Sequence, residues 1–353
     1  MRELVLAVNP APTFTKVGLF RGLRPVARHV EKHPDGAGAH RLIDELPMRT
    51  RAVRAFLDQS GVGGEALAAV VGRGGLLRPV ESGTYVVDDA MLRDVERAEH
   101  GEHPANLGGP IAKAIADDQG CPAFVVDPLS VDELEVVARV SGISGVPRRG
   151  RCDALLMRAA ARHHAAAVQR PLEELRVVVA HVGGTCSLCA MREGRLVEVV
   201  NRCGECPLSS DGQGSVPPEA IISMCFAPGA TAEAVRRRVL VEAGLFSHAG
   251  TRSLEEVAQR AERGDAKAIV LLDALSYQAA KCIGELAVAL GGEVDAVLVT
   301  GAGTQVTAVV NGICRRVEWI APVFVYPGED DLLPLAEGAW RVLNGEEQAK
   351  RYG

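Results

Sequence analysis

No apolar run in this 353-residue chain approaches the ~20 residues needed to span a bilayer. No lysine/arginine run stands out, and lysine plus arginine are outnumbered by aspartate plus glutamate, 39 to 45, for a formal net charge of −6. Proteins that hold nucleic acid through its phosphates need a basic stripe or patch, so nucleic acid is excluded as an expected partner. The opening Met1-Arg-Glu-Leu-Val-Leu-Ala-Val-Asn9 has too short an apolar core, and meets proline too soon, for a cleavable export signal. Low-complexity segments and obvious linkers are also lacking. These absences lead to the expectation of a cytoplasmic protein with no membrane partner, whose nine cysteines stay reduced. What remains, 47% hydrophobic and 24% charged residues, is an ordinary globular composition with length enough for two domains.

Four of the cysteines form two pairs, Cys186-Ser-Leu-Cys189 and Cys203-Gly-Glu-Cys206, with thirteen residues between the pairs. Thiolates bind Zn²⁺ or an iron–sulfur cluster, and four complete a tetrahedral shell. The intervening stretch reads as a β-hairpin turning at Glu193-Gly194, which gives the layout of a zinc ribbon. Cys186, Cys189, Cys203 and Cys206 are therefore candidate metal ligands. The alternative is four small reduced residues packed near glycine-rich turns. Because residues three apart on a straight strand point to opposite faces, a shared metal requires each pair to bend.

Along the chain, short apolar strands are expected at 3–8, 68–72, 123–127, 176–181, 294–300 and 319–326, and helices at 45–59, 105–118, 151–170, 305–316 and 331–344. Ser130-Val-Asp-Glu133 reads as a capping box opening a further helix. Two similar halves each open with an apolar strand, a polar turn and a hairpin, over 3–20 and 176–200. The pattern predicts a duplicated α/β domain with a cleft between the copies. The expected division is 1–168, with the C-terminal helix 331–347 packing back on it, and 169–330, which contains the CxxC hairpin.

Four small-residue turns follow apolar strands: Asn9–Lys16, Val71–Gly75, His181–Gly184 and Thr300–Gly303. Backbone N–H groups exposed in such turns can cradle phosphates. Here the sequence resembles a known family. Asn9-Pro10 with Thr13 and Thr15-Lys16, Val71-Gly-Arg-Gly-Gly-Leu-Leu-Arg-Pro79, Phe124-Val-Val-Asp-Pro128, Ala138-Arg-Val-Ser-Gly142 and Phe324-Val-Tyr-Pro-Gly-Glu-Asp330 are similar to the motifs of butyrate kinases, in the acetate kinase and actin-like superfamily. The similarity runs from about residue 3 to 347. It implies two ribonuclease-H-like (actin-like ATPase) domains with a central cleft, ATP and Mg²⁺ as cofactors, a short-chain carboxylate converted to an acyl phosphate, and a homodimer or higher assembly. Residue by residue, it implies Asp127 as the catalytic or metal-orienting carboxylate and Arg73 facing the substrate carboxylate or phosphate. Asn9, Lys16 and Glu329 would contact phosphate and Mg²⁺, with Thr13 and Thr15 in the N-terminal phosphate motif. His181, Gly183, Gly184, Gly301 and Gly303 would line the nucleotide turns.

The chain also departs from that family. Ala11 and Pro12 stand where it has Gly and Ser, and Phe14 where it has Ser; Pro12 removes a backbone N–H as well as a hydroxyl. The family's Phe-His before the 154–165 helix is Cys152-Asp153, and the arginine of its Glu-Arg-Ser-Gly-type motif falls on Gly212. Losing such an arginine costs ~10³–10⁵ in rate. Three readings follow: a carboxylate kinase with altered activity, a non-kinase descendant holding Zn²⁺ or an Fe–S cluster through the four cysteines, and a silent pseudokinase.

Overall fold

Three strands in the first part of the chain are apolar at nearly every position, and a strand buried on both faces reads that way. In the computed structural model, which describes residues 3–33, 41–61, 66–201, 204–328 and 330–353, these are β1 (Leu4–Pro10), β4 (Leu67–Arg73) and β6 (Ala123–Val126), paired in parallel. The antiparallel β2 (Phe14–Arg21) and β3 (Arg24–Lys32) extend the sheet beyond β1, and the short β5 (Thr84–Val86) closes its other edge. The order is β3-β2-β1-β4-β6-β5. On one face Leu4, Leu6 and Val8 pack with Ile111 and Ile115 of the helix Gly108–Gln119. On the other lies the helix Leu332–Leu343, whose Gly338 sits so close that an added Cβ would meet Val126 at 2.5 Å.

A second sheet repeats the plan. β7 (Val177–Val182), β10 (Ala296–Gly301) and β11 (Val323–Pro327) are parallel, and β8 (Cys186–Arg192) and β9 (Arg195–Val200) form the antiparallel hairpin. Its order, β11-β10-β7-β8-β9, read from the hairpin edge is third, second, first, fourth, fifth, as in the first sheet before β5 is added. The hairpin turns at Glu193 (φ 54°) and Gly194 (φ 70°), the two positive φ values that a twist-matched two-residue turn requires. Val178, Ala180, Cys186 and Leu188 pack under the long helix Ala266–Ala289 and the helix Thr307–Val317. The helix Ala154–Val168 supplies nothing to that cluster and packs on β7 and β10 from the opposite face.

The contacts group Met1–Asp132 with Asp330–Gly353 as one compact unit and Glu133–Glu329 as the other. The helix Ala154–Val168 thus belongs with the second sheet, whereas the sequence reading drew its line at 168. Ser130 caps no helix. Its Oγ accepts from Leu77 N at 2.7 Å, and the next residue, Val131, bridges to Val80, so a short polar side chain here pins a loop instead of opening a turn of helix. The helices Pro218–Cys225, Ala232–Leu240, Gly244–Ala249 and Leu254–Glu262 precede the long helix and were not anticipated from the sequence.

Candidate active site at the parallel strand ends

Ligands of open α/β sheets bind beyond the carboxyl ends of the parallel strands. In the first unit those ends carry Asn9 on β1, Arg73 on β4 and, one residue past β6, Asp127. Asn9 Nδ2 donates to Asp331 Oδ2 at 2.8 Å. Lys16, the cross-strand partner of Asn9 on β2, places Nζ 3.6 Å from the same oxygen, and Arg73 NH1 lies 3.9 Å from Oδ1. Three of the expected residues therefore meet on one carboxylate that the sequence reading did not name. Glu329, which it did name, lies outside the described residues. The signal available was the acidic run Glu329-Asp-Asp331 just before a helix, in which nothing in the residue types singles out the third member.

Asp127 is 1% exposed and holds φ at 38°, a conformation that aspartate tolerates better than most residues. Its Oδ1 accepts from Gly83 N at 2.7 Å, and its own N–H donates to Gly83 O at 3.0 Å. A buried carboxylate fixed in a sparsely populated backbone region at a strand end is a strong functional candidate. The Val71–Gly75 turn is glycine-rich because of close packing: a Cβ at Gly72 would stand 2.0 Å from Gly108 O, and one at Gly75 2.0 Å from Asn106 Oδ1. That packing fixes the backbone on both sides of Arg73.

The β1–β2 turn is organised from below by an arginine that no motif or residue pattern singles out. Arg49 is 1% exposed and donates to Ala11 O (2.9 Å), Phe14 O (3.0 Å), Pro12 O (3.2 Å) and Thr15 Oγ1 (3.0 Å), with Nε on Glu45 (2.8 Å). Thr15 Oγ1 also lies 2.8 Å from His33 Nε2, so this hydroxyl is buried and engaged within the protein, while Thr13 is exposed on the turn.

In the second unit, His181 is the last residue but one of β7 and faces Asp153 across 3.5 Å between Nδ1 and Oδ2. Gly301 (φ 96°) ends the neighbouring β10, and a Cβ there would strike Val182 O at 2.4 Å; one at Gly303 would meet Val182 Cγ1 at 2.6 Å. The turns bearing Gly183–Gly184 and Gly301–Gly303 therefore lie backbone against backbone. Asp211 N donates to Gly184 O at 2.6 Å, which brings the 211–214 turn alongside. Gly212 has no room for a side chain, since a Cβ would be 2.4 Å from Ser209 Oγ.

The four-cysteine shell is not formed by the residues described. β8 runs straight through both members of the first pair, so Cys186 enters the core beneath the helix Ala266–Ala289 and Cys189 points to the other face, where the charges of Arg158 and Glu133 act on it. Burial pushes both thiols up to about 12, so they stay protonated at neutral pH. Cys206 is buried near Cys186, and Cys203 lies outside the described residues. Among the described residues no group of three or more His, Cys, Asp or Glu is placed to hold a metal ion. Protein purified without oxygen should carry only substoichiometric zinc and iron by elemental analysis, unchanged in Cys189→Ser; a full equivalent of metal lost on Cys206→Ser would contradict this.

Next to Cys206 in the chain, Glu205 carries an ion pair. Arg148 donates to Glu205 through Nε (2.9 Å) and NH2 (3.1 Å), and also to Ala138 O and Val199 O. Burial pushes the Glu205 carboxyl up, but the Arg148 hydrogen bond and charge outweigh it and hold the group below the usual glutamate range. A carboxyl with a lowered folded pKa contributes stability that is complete above its unfolded pKa and is lost as pH falls through the folded one. Arg148→Met should therefore cost about 1–2 kcal/mol at pH 7, discounted for the partial exposure of Glu205. The difference from wild type in chemical denaturation should shrink below about pH 4.

No helix among the described residues is long and apolar enough to cross a membrane. The Acetokinase family matches residues 157–322. The chain is 39% identical over 351 residues to "Probable butyrate kinase 2" of Caldanaerobacter subterraneus subsp. tengcongensis, covering 99% of each. The acetate kinase of Porphyromonas gingivalis superposes with a TM-score of 0.77 at 18% identity, covering 97% of this chain and 100% of that one. A propionate kinase of Francisella tularensis gives 0.76 at 14% identity, covering 95% and 98%. The fold is thus the actin-like ATPase fold of two ribonuclease-H-like domains, in which β1–β6 and β7–β11 are the two sheets, and the chain belongs to the butyrate kinase family.

Proposed function

We propose that this protein transfers the γ-phosphoryl group of ATP to a short-chain carboxylate. A carboxylate oxygen forms a new P–O bond at the γ-phosphorus, the bond to the β,γ-bridging oxygen breaks, and acyl phosphate and ADP leave. No proton has to move, so the protein's contribution is positioning and charge. The observation that carries the reading is the convergence of Asn9, Lys16 and Arg73 on Asp331 at the parallel strand ends, in a chain with this family membership.

The donor set fits Mg²⁺. The Asp331 carboxylate and the Asn9 amide oxygen are hard oxygen ligands of the sort that hold this ion beside substrate phosphates. When bound, Mg²⁺ would neutralise phosphate charge. Lys16 and Arg73 add fixed positive charge, and Asp127 orients groups at the end of β6. The nucleotide would sit in the second unit, where the side-chain-free turns at Gly183–Gly184 and Gly301–Gly303 allow phosphate close to the backbone. With no arginine at Gly212, turnover should be slow for the family.

Hydroxylamine trapping with MgATP and acetate, propionate or butyrate tests the reading. Hydroxamate formed with at least one acid, and absent without ATP, is the expected result; none with any acid would overturn it. The reading includes self-association through the second unit, where Val136, Val137, Val140 and Ile143 are exposed together. Sedimentation should show a dimer that Ile143→Asp weakens, and a monomeric wild type would refute that part.

A further inference from the structure

His181 is held by its surroundings on every side described. An added Cβ at Gly301 would lie 2.9 Å from its Cδ2, and one at Gly183 would lie 3.0 Å from Cε1 and 3.4 Å from Nε2. The imidazole is thus clasped between the two glycine turns, with its Nε2 edge toward Gly183 and its Nδ1 edge toward Asp153. Asp153 is itself fixed. Its backbone N–H donates to Ser187 Oγ at 3.1 Å, and Ser187 Oγ donates back to Asp153 Oδ2 at 3.2 Å. Ser187 is the cross-strand partner of His181 in the β7–β8 ladder, so all three side chains share one face of the sheet. Asp153 and His181 are 6% and 8% exposed, and Ser187 is fully buried. Although Asp153 precedes the helix Ala154–Val168, its side chain makes no capping hydrogen bond, so capping does not account for it.

A carboxylate facing Nδ1 settles the imidazole chemistry. At 3.5 Å it attracts a proton to that nitrogen, and a phosphate oxygen at Nε2 would draw a second, so that both ring nitrogens donate when phosphate is bound. Asp211 also stands beside these turns, and its carboxylate lies 2.9 Å from Arg252. Gly212 contributes no cation, and the packing against Ser209 leaves no space for one.

We propose that Asp153 is a positioning residue that fixes His181, through Nδ1, as the hydrogen-bond donor presented by Nε2 to the phosphates at the Gly183–Gly184 turn. The pair supplies from β7 part of the positive charge that the 211–214 turn lacks. This rests on the kinase reading, and it gives the exchange of histidine for Asp153 a function: the carboxylate acts on His181 and not on phosphate.

The test is a double-mutant cycle with MgATP and the best carboxylate substrate, using Asp153→Asn, His181→Gln and the double variant. Asp153→Asn should lower kcat by about 10–100-fold, the range for removing a group that orients a functional histidine. KM for ATP should stay within about threefold, as for an interaction made in the transition state. In the His181→Gln background the same substitution should change kcat by less than about twofold, because its route is already gone. Nitrogen NMR of histidine-labelled protein gives a readout independent of turnover: with nucleotide bound, wild-type His181 should show both ring nitrogens protonated, and Asp153→Asn should lose the proton on Nδ1. Equal losses in both backgrounds, an unchanged kcat in Asp153→Asn, or an unchanged ring would overturn the proposal. A wild type that makes no acyl phosphate would overturn the kinase reading and the catalytic role of Asp153 with it, while the NMR arm would still report whether the pair exists.

Discussion

Asp127→Asn should lower acyl phosphate formation by about 10³-fold while leaving the protein folded. Asparagine is nearly isosteric, tolerates the φ of 38°, and keeps a carbonyl oxygen to accept the 2.7 Å hydrogen bond from Gly83 N. The substitution therefore removes a charge and little else. Preorganised charge in a site shielded from water is commonly worth two to three powers of ten in rate, so about 3–4 kcal/mol of barrier should follow from the charge alone. A thermal midpoint within a few degrees of wild type, together with the lost rate, is the expected pair of results. An unchanged rate would make Asp127 a turn residue that holds Gly83.

Arg49→Met should be the most damaging single change to stability, at about 3–5 kcal/mol in chemical denaturation, the range for removing one partner from a buried charged network. The guanidinium satisfies Ala11 O, Pro12 O, Phe14 O and Thr15 Oγ1 and pairs with Glu45. Methionine restores the apolar stem but leaves those acceptors without their donor. A second readout separates this cause from general damage. Burial, and after it the Arg49 charge, holds His33 below the ordinary histidine range. Removing the charge should move the His33 titration upward in histidine-resolved NMR. Since the Ala11–Phe14 turn joins the strands that carry Asn9 and Lys16, activity should fall as well.

The apolar strands and both hairpins were legible because buried parallel strands read as continuous apolar runs and the Glu193-Gly194 turn carries its own residue signature. The repeated sheet plan followed from them. Ser130 misled because the residues that cap helices also pin loops, and the choice depends on Leu77 and Gly75, which are remote in sequence. The cysteine spacing held its own answer: once Cys186–Arg192 is a strand, residues three apart diverge, whatever their affinity for metal. At the site, the strand-end residues Asn9, Arg73 and Asp127 were visible as motif positions. Asp331 was not, because an acidic residue in an acidic run is ordinarily a solvated helix start, and only the fold brings it to Asn9. Arg49 and the Asp153–His181 pair were hidden for the same reason, since their meaning lies in what a buried side chain touches across the sheet or beneath the turn.

A carboxylate kinase passes the γ-phosphoryl group to a carboxylate and not to water. Phosphorus NMR of the protein with MgATP and butyrate, followed through the reaction, tests it most directly. An acyl phosphate resonance should grow in step with ADP, at equal amounts, and be absent when butyrate is omitted or Arg73→Met is used. ADP appearing with inorganic phosphate alone, or ATP remaining intact over many hours, would contradict it.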